Sequence, residues 1–255
     1  MERVYFISDV HLGAHQGEHE QRKVEYLNSF LKAIHGKADV LYIVGDLFDF
    51  WFEYREAIPK LNLKVLFRLQ QFMESGGKLI YLAGNHDLWL DSYLDQELGI
   101  TVLHQPITAS HNSVRLYIAH GDGLARRDGR VRSLNRVFRS RANIFLYRLL
   151  HPDLGIPLAK YVANKSRERG ENPYDADYRE FARAKLSEDF DAVILAHTHK
   201  PLFERIDSKY YINLGDWTEH FTYLEMIGDS LKLKSWLDKT AAEKINPKLN
   251  RSPSV

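Results

Sequence analysis

The chain has 255 residues, 44% of them hydrophobic and 27% charged, with a formal net charge of +1 and no cysteine. That size and composition fit one large globular domain or a domain with an insertion, and exclude disordered and fibrous classes. The near-neutral balance argues against wholesale nucleic-acid binding, and the missing cysteines exclude disulfides and thiolate chemistry. No apolar run of roughly 18 residues is present to span a bilayer, and the N-terminus enters the first predicted strand without a recognisable secretory leader.

The stretch VYFISDVHLG (Val4–Gly13) reads as a buried strand, with Asp9 and His11 at its C-terminal mouth. Val24, Leu27, Leu31 and Ile34 then recur at helical spacing, and Gly36 supplies a stop. A second strand is predicted over Val40–Val44, followed by Gly45-Asp46. A second helix carries Val65, Leu66, Leu69, Phe72 and Met73 on one face and closes at Gly76-Gly77. A third strand, Lys78–Ala83, ends in Gly84-Asn85-His86-Asp87. This β-α-β-α-β order predicts right-handed crossovers and a parallel sheet.

A further strand is predicted over Val114–Ala119, ending in His120-Gly121-Asp122. From Leu124 to Arg169 twelve Lys or Arg stand against three acids, mixed with Phe138, Phe145, Leu146, Tyr147, Leu149 and Leu150. This composition predicts a helical insertion, both basic and apolar. Strands return at Ala192–Ala196, ending in His197-Thr198-His199, and at Tyr210–Leu214, Thr222–Ile227 and Leu231–Trp236. The polar tail from Lys239, with Pro247 and Pro253, is expected to fray. The expected division is a core of 1–123 and 171–238, an insertion of 124–170 and a tail of 239–255.

Five strands thus end in hard or borderline metal ligands: Asp9 and His11, Asp46, Asn85 and His86, His120, then His197 and His199. Converging on one sheet edge, they would crowd uncompensated polar groups unless a cation organised them. Carboxylate, amide oxygen and imidazole without thiolate suit manganese, iron or zinc rather than a structural zinc site. So many ligands exceed one tetrahedral ion and suit two ions that share a carboxylate. Asp49 is read as a structural carboxylate, and His15, His19, His35, His104, His111 and His220 as surface or satisfied histidines.

The set Asp9-x-His11, Gly45-Asp46-x-x-Asp49, Gly84-Asn85-His86-Asp87, His120-Gly121-Asp122 and His197-Thr198-His199 resembles the calcineurin-like metallophosphoesterases. The resemblance implies an α/β fold, a four-layer α-β-β-α sandwich of two mixed sheets, here with a helical cap insertion. It implies that Asp9, His11, Asp46 and His199 hold one divalent ion, and Asp46, Asn85, His120 and His197 the other. His86, outside these shells, would contact the phosphate or protonate the leaving oxygen, with Asp87 orienting it. Asp122 is read either as a substrate contact or as a residue tying down the loop after His120.

Within the family, Gly45–Trp51 (GDLFDFW), Ala119–Asp122, Ala163–Ser166 and Leu214–Trp217 look like the UDP-2,3-diacylglucosamine pyrophosphatases of lipid A synthesis. This likeness implies manganese-dependent hydrolysis to UMP and 2,3-diacylglucosamine 1-phosphate at the cytoplasmic face of a bacterial inner membrane. It implies substrate contacts from Asn164, Ser166 and Arg167. A basic, apolar cap suits an amphiphile and a peripheral hold on an anionic membrane surface, and no nucleic-acid partner is expected. That group commonly carries Arg at the position of His86, which leaves open a paralogue acting on another nucleotide or lipid-linked phosphodiester or pyrophosphate. Two rivals belong to other classes, a nuclease gripping a phosphate backbone and a metal-free scaffold. The clustered cap aromatics weigh against the first, and the complete ligand set against the second.

Overall fold

In the computed structural model the four-residue apolar run of the opening stretch becomes β1 (Arg3–Ile7), which pairs in parallel with β2 (Val40–Val44). The structure describes residues 1–55, 57–59, 63–87, 89–90, 93–124, 137–138, 140–167 and 175–237, with the side chains of 163–167 outside that set. The expected insertion boundary at 170 and the expected fraying of 239–255 lie outside the described residues.

β2 is buried along its whole length and continues into β3 (Lys78–Leu82) and the short β4 (Thr101–Leu103), all parallel. On the other side of β1 run the antiparallel β10 (Thr222–Ile227) and β11 (Ser230–Ser235), giving the order β11-β10-β1-β2-β3-β4. A second sheet has the order β5-β6-β7-β9-β8. It comprises β5 (Ile107–His111), β6 (Val114–Ile118), β7 (Ala192–Leu195), β8 (Leu202–Ile206) and β9 (Lys209–Asn213). Its centre is parallel and its two edge strands antiparallel. The single parallel sheet read from the β-α-β-α-β order is therefore the middle of the first of two mixed sheets.

Period-two alternation explains the layers. Val4 and Phe6 face Leu116, Ile118, Ile194 and Ile212 between the sheets, whereas Tyr5 and Ile7 face α1 (Glu18–Ile34) and α2 (Leu63–Glu74). On the far side, Val193 and Tyr211 pack against Tyr178, Ala182 and Leu186 of α5 (Asp175–Leu186). Helices, sheet, sheet and helix make the four-layer sandwich. Two more helices, α3 (Arg141–Arg148) and α4 (Pro152–Arg167), lie in the basic, apolar segment.

Sequence patterning missed β4, β5, β8, α5 and a π-helical turn at Tyr93–Glu97. β4 has three residues, β5 and β8 are partly exposed edge strands, and α5 buries only Tyr178, Ala182 and Leu186 among charges. Such elements carry little apolar periodicity of their own.

Candidate metal centre

The loops after β1 and β2 prolong the parallel pairing past the sheet. Asp9 N–H donates to Gly45 O (3.2 Å), His11 N–H to Asp46 O (2.9 Å), Leu12 N–H to Leu47 O (2.9 Å) and Asp49 N–H to Leu12 O (3.1 Å). After β6 and β7 the same happens, Ala196 N–H donating to His120 O at 2.8 Å. Two bonds then cross between sheets: His197 N–H to Asp9 Oδ2 at 3.1 Å, and His120 Nδ1 to Val44 O at 2.9 Å. The ligand-bearing strand ends therefore meet from two sheets, not along one edge.

Backbone strain concentrates where they meet. Asp9, His11, Asp46, His197 and His199 all have φ between 48° and 69°, half of the ten non-glycine residues with positive φ among the described residues. Left-handed conformations are unfavourable for side chains with a Cβ, by roughly 1–2 kcal/mol each, and their clustering marks a site whose geometry the surroundings impose. Space is equally constrained. A Cβ at Gly45 would strike the His120 ring and one at Gly84 the Asp46 carboxylate, so glycine lets these side chains approach the backbone.

The side chains form three overlapping groups: Asp9, His11 and His199; His11, Asp46 and His86; Asp46, His120 and His197. Within each group the candidate ligand atoms lie within 4.8 Å of one another. His11 Nε2 and His199 Nε2 are 3.2 Å apart, and Asp9 Oδ1, which accepts no hydrogen bond, is 3.3 Å from His199 Nε2. A carbonyl can only accept, so Val44 O fixes the Nδ1–H of His120. The His120 Nε2 then turns a lone pair on Asp46 Oδ2 (3.3 Å) and Asn85 Oδ1 (3.2 Å). Three acceptors facing one another need a proton or a cation between them.

Electrostatics agree. Burial alone would push the Asp9 and Asp46 carboxyls up. The imidazoles of His199 and His11 around Asp9, and of His120 and His86 around Asp46, outweigh it and hold both well below the carboxylate range. For His120, burial is outweighed by the Asp46 carboxylate, and its pKa is raised well above that of an ordinary histidine. Burial dominates at His86 and His197 and pulls each down to about 4. Asp122 lies close enough for its charge to favour the imidazolium form of His120 and His197.

A family model described as calcineurin-like phosphoesterase matches residues 2–201. The chain belongs to the calcineurin-like phosphoesterases. It is a hydrolase, and the family implies divalent metal ions. This phosphoesterase is 31% identical to the UDP-2,3-diacylglucosamine hydrolase of Porphyromonas gingivalis over 92% of its own length and 98% of that protein's. Proteins of the same name from Pseudomonas savastanoi and Proteus mirabilis are each 26% identical, over 91% and 89% of this chain and 95% and 96% of theirs. The donor set fits divalent ions, being carboxylate, amide oxygen and imidazole, with buried acceptors that converge.

Of the phosphoesterase's remaining predicted residues, His86 stands beside the ligands, its N–H donating to Asp46 Oδ1 at 2.9 Å. Its ring is held at Nδ1 by the Asp49 carbonyl (3.1 Å), with Asp49 Oδ1 at 3.6 Å from both that atom and His11 Nδ1. Asp87 does not hydrogen-bond His86, which corrects the expectation that it orients the ring. The Asp87 carboxyl is buried and takes the N–H groups of Gly84 (2.7 Å) and Phe48 (3.5 Å) and the Tyr81 hydroxyl, so it shapes the loop instead. Burial and the nearby Asp46 push the Asp87 pKa up to about 6. Asn164, Ser166 and Arg167 fall in the last turns of α4, and their side chains lie outside the described residues.

Three supports escaped the reading of the sequence. Tyr81 sits beneath Asp87, and Trp217 N–H donates to Asp9 O at 3.1 Å, its loop pinned by Asp216 Oδ1 on the N–H groups of Thr218 and Glu219. The third is Lys23, fully buried on α1 below His11. A lysine one residue off the predicted apolar stripe was the signal; it, not Val24, starts the buried face.

α3 reaches the site through aromatic contacts, and α4 is tied to it where the Tyr147 hydroxyl donates to Gly155 O at 2.6 Å. Tyr147 packs on Phe52 (4.6 Å between centroids) and Trp89 (4.9 Å), and Trp89 Nε1–H donates to Phe138 O at 2.7 Å. Phe52 and Trp89 follow the Asp46 and Asp87 loops directly, so this wall joins the helices to the ligand loops.

Proposed function

We propose that this phosphoesterase hydrolyses the pyrophosphate bond of UDP-2,3-diacylglucosamine to UMP and 2,3-diacylglucosamine 1-phosphate, with manganese as its metal. The observation that carries the reading is the junction of the two sheets, where buried carboxylates and imidazoles converge on shared space. The choice of substrate draws support from the full-length similarity to hydrolases named for it.

In this reading Asp9, His11 and His199 would hold one ion, and Asn85, His120 and His197 the other, with Asp46 shared. Bound there, divalent ions supply Lewis-acid polarisation of phosphoryl oxygens and acidify water. The chain's own groups do the rest. His120 is fixed as the Nδ1–H tautomer by Val44 O, which presents Nε2 to the site. His86, neutral through burial and anchored at Nδ1, likewise presents Nε2. An arriving pyrophosphate would raise the pKa of that imidazole, which takes a proton from solvent before the P–O bond breaks and gives it to the leaving phosphate oxygen, ending neutral again. Asp122 completes the negative rim beside His120 and His197.

We further infer that 124–170 acts as a cap for the acyl chains, on a core of 1–123 and 171–238. α3, α4 and the turn between them expose Phe145, Leu146, Leu149, Leu154, Leu158 and Tyr161 in a segment rich in Lys and Arg. Such a face suits acyl chains and anionic lipid, with Asn164, Ser166 and Arg167 as substrate contacts. The hold on the cytoplasmic face of the inner membrane would be peripheral, through this basic and apolar face; no helix among the described residues is long and apolar enough to cross a membrane.

The deciding experiment measures UMP release from UDP-2,3-diacylglucosamine with manganese and with chelator, beside a simple aryl phosphodiester. Rapid, metal-dependent UMP release is expected. Cleavage of the aryl diester alone would keep the hydrolase and remove the lipid substrate.

A further inference from the structure

Lys23 is the charged residue among the buried residues of α1, in line with Leu27, Phe30, Leu31 and Ile34. Its Nζ donates to His11 O at 2.6 Å and pairs with Glu20 Oε2 at 2.9 Å. Glu20 in turn accepts the N–H of Gly13 on Oε1 (2.7 Å) and of His15 on Oε2 (3.2 Å). One ion pair therefore takes three backbone groups of the loop that leaves β1. That loop contains His11, held at φ 48° with its ring toward Asp9, Asp46 and His199.

Stability does not require a lysine here. Burying an ammonium is strongly unfavourable, and apolar replacements of buried ion pairs are often neutral or stabilising. A methionine would fill the same stripe. What an apolar side chain could not do is hold the His11 carbonyl, or keep Glu20 turned onto Gly13 and His15. The ion pair is directed at the loop's backbone, and of the loop's two histidines it is His11 whose ring joins the groups of Asp9, Asp46 and His199.

We propose that Lys23 and Glu20 are positioning residues of the metal centre, clamping the 11–15 loop so that its left-handed histidine is presented to the metal. The pair sets metal affinity and does not touch substrate. This rests on the reading of His11 as a metal ligand. Partners that orient ligands commonly change metal affinity by about 10–100-fold when removed.

The test titrates the full-length, metal-stripped chain with manganese, or with zinc where manganese does not bind, against a chelating indicator, and melts the same samples without metal. Wild type should bind. Lys23→Met strips Glu20 of its counter-charge and His11 O of its donor, so its melting temperature should fall; the folded variant should in addition bind manganese about 10-fold more weakly, and Glu20→Gln, which keeps a neutral acceptor, should lose less. A purely structural role would lower the melting temperature and leave the affinity alone. Binding by Lys23→Met within about twofold of wild type would overturn the proposal, since it falls well short of the expected loss. Should Lys23→Met not fold, Glu20→Gln decides on the same criterion, unchanged affinity overturning it. Wild type that binds neither manganese nor zinc would instead remove the reading of His11 as a metal ligand, and this inference with it.

Discussion

Two regions of the molecule invert the usual distribution of side chains, in opposite directions. Asp9 at the junction of the sheets and Lys23 beneath it on α1 are 0% exposed, while in α3 and α4 Phe145, Leu146 and Leu154 are 60%, 62% and 69% exposed. Buried charge and exposed apolar surface are the informative exceptions in a folded protein. The first survives because opposite charges and backbone donors converge on it. The second holds an apolar face with no protein layer over it among the described residues. α1 and α4 sharpen the contrast, because Lys23, Leu27, Phe30 and Leu31 repeat the spacing of Leu154, Leu158, Tyr161 and Val162. One stripe is core and the other faces outward.

The largest effect should come from the buried charges. Asp46→Ala removes the carboxylate that joins two ligand groups and leaves His120 and His86 without their counter-charge. Turnover should fall on the order of 1,000-fold or more, with loss of bound metal by elemental analysis. Retention of most activity would break the shared-carboxylate reading.

Next in size is the comparison of the two helices. Leu27→Ala in α1 should destabilise by about 2–5 kcal/mol in urea unfolding, as a cavity in a packed core does. Leu158→Ser in α4 should stay within about 0.5 kcal/mol. The same Leu158→Ser, combined with Leu154→Ser, should reduce recovery with anionic vesicles in low-salt flotation. Equal recovery with and without anionic lipid in the parent protein would remove the membrane reading.

An effect confined to alkaline pH concerns buried phenols. Burial, helped by Glu2, raises Tyr42 to about 12, and burial likewise raises Tyr211 to about 12, from an ordinary 10.0. The folded state then keeps protons that the unfolded chain releases, so stability should fall as the pH rises above 10 and level off past 12. The slope should be about 1.4 kcal/mol per pH unit for each phenol. Urea midpoints between pH 9 and 11 check this, and Tyr42→Phe should flatten the decline.

Much of the centre could be read from the chain. Strands that stop at Asp9, Asp46, Asn85, His120 and His197 advertise themselves, because an apolar run followed by ligand-type residues breaks the pattern that burial alone would write. The loop role of Asp87, the Asp49 carbonyl behind His86 and the strut of Lys23 and Glu20 could not be read. Each depends on a backbone carbonyl or N–H from a distant segment, and backbone groups carry no residue identity.

The sequence by itself determined the central strands, which of their ends bear ligand-type residues and that α1 and α2 have an apolar face, since these follow from local periodicity and residue chemistry. Only the tertiary structure decided that the ligand ends come from two sheets facing across a shared core, and that the stripe of α1 is covered while those of α3 and α4 are not. Periodicity specifies that a face exists, whereas what meets it depends on chain segments far away in sequence, whose contacts form only once the layers have packed.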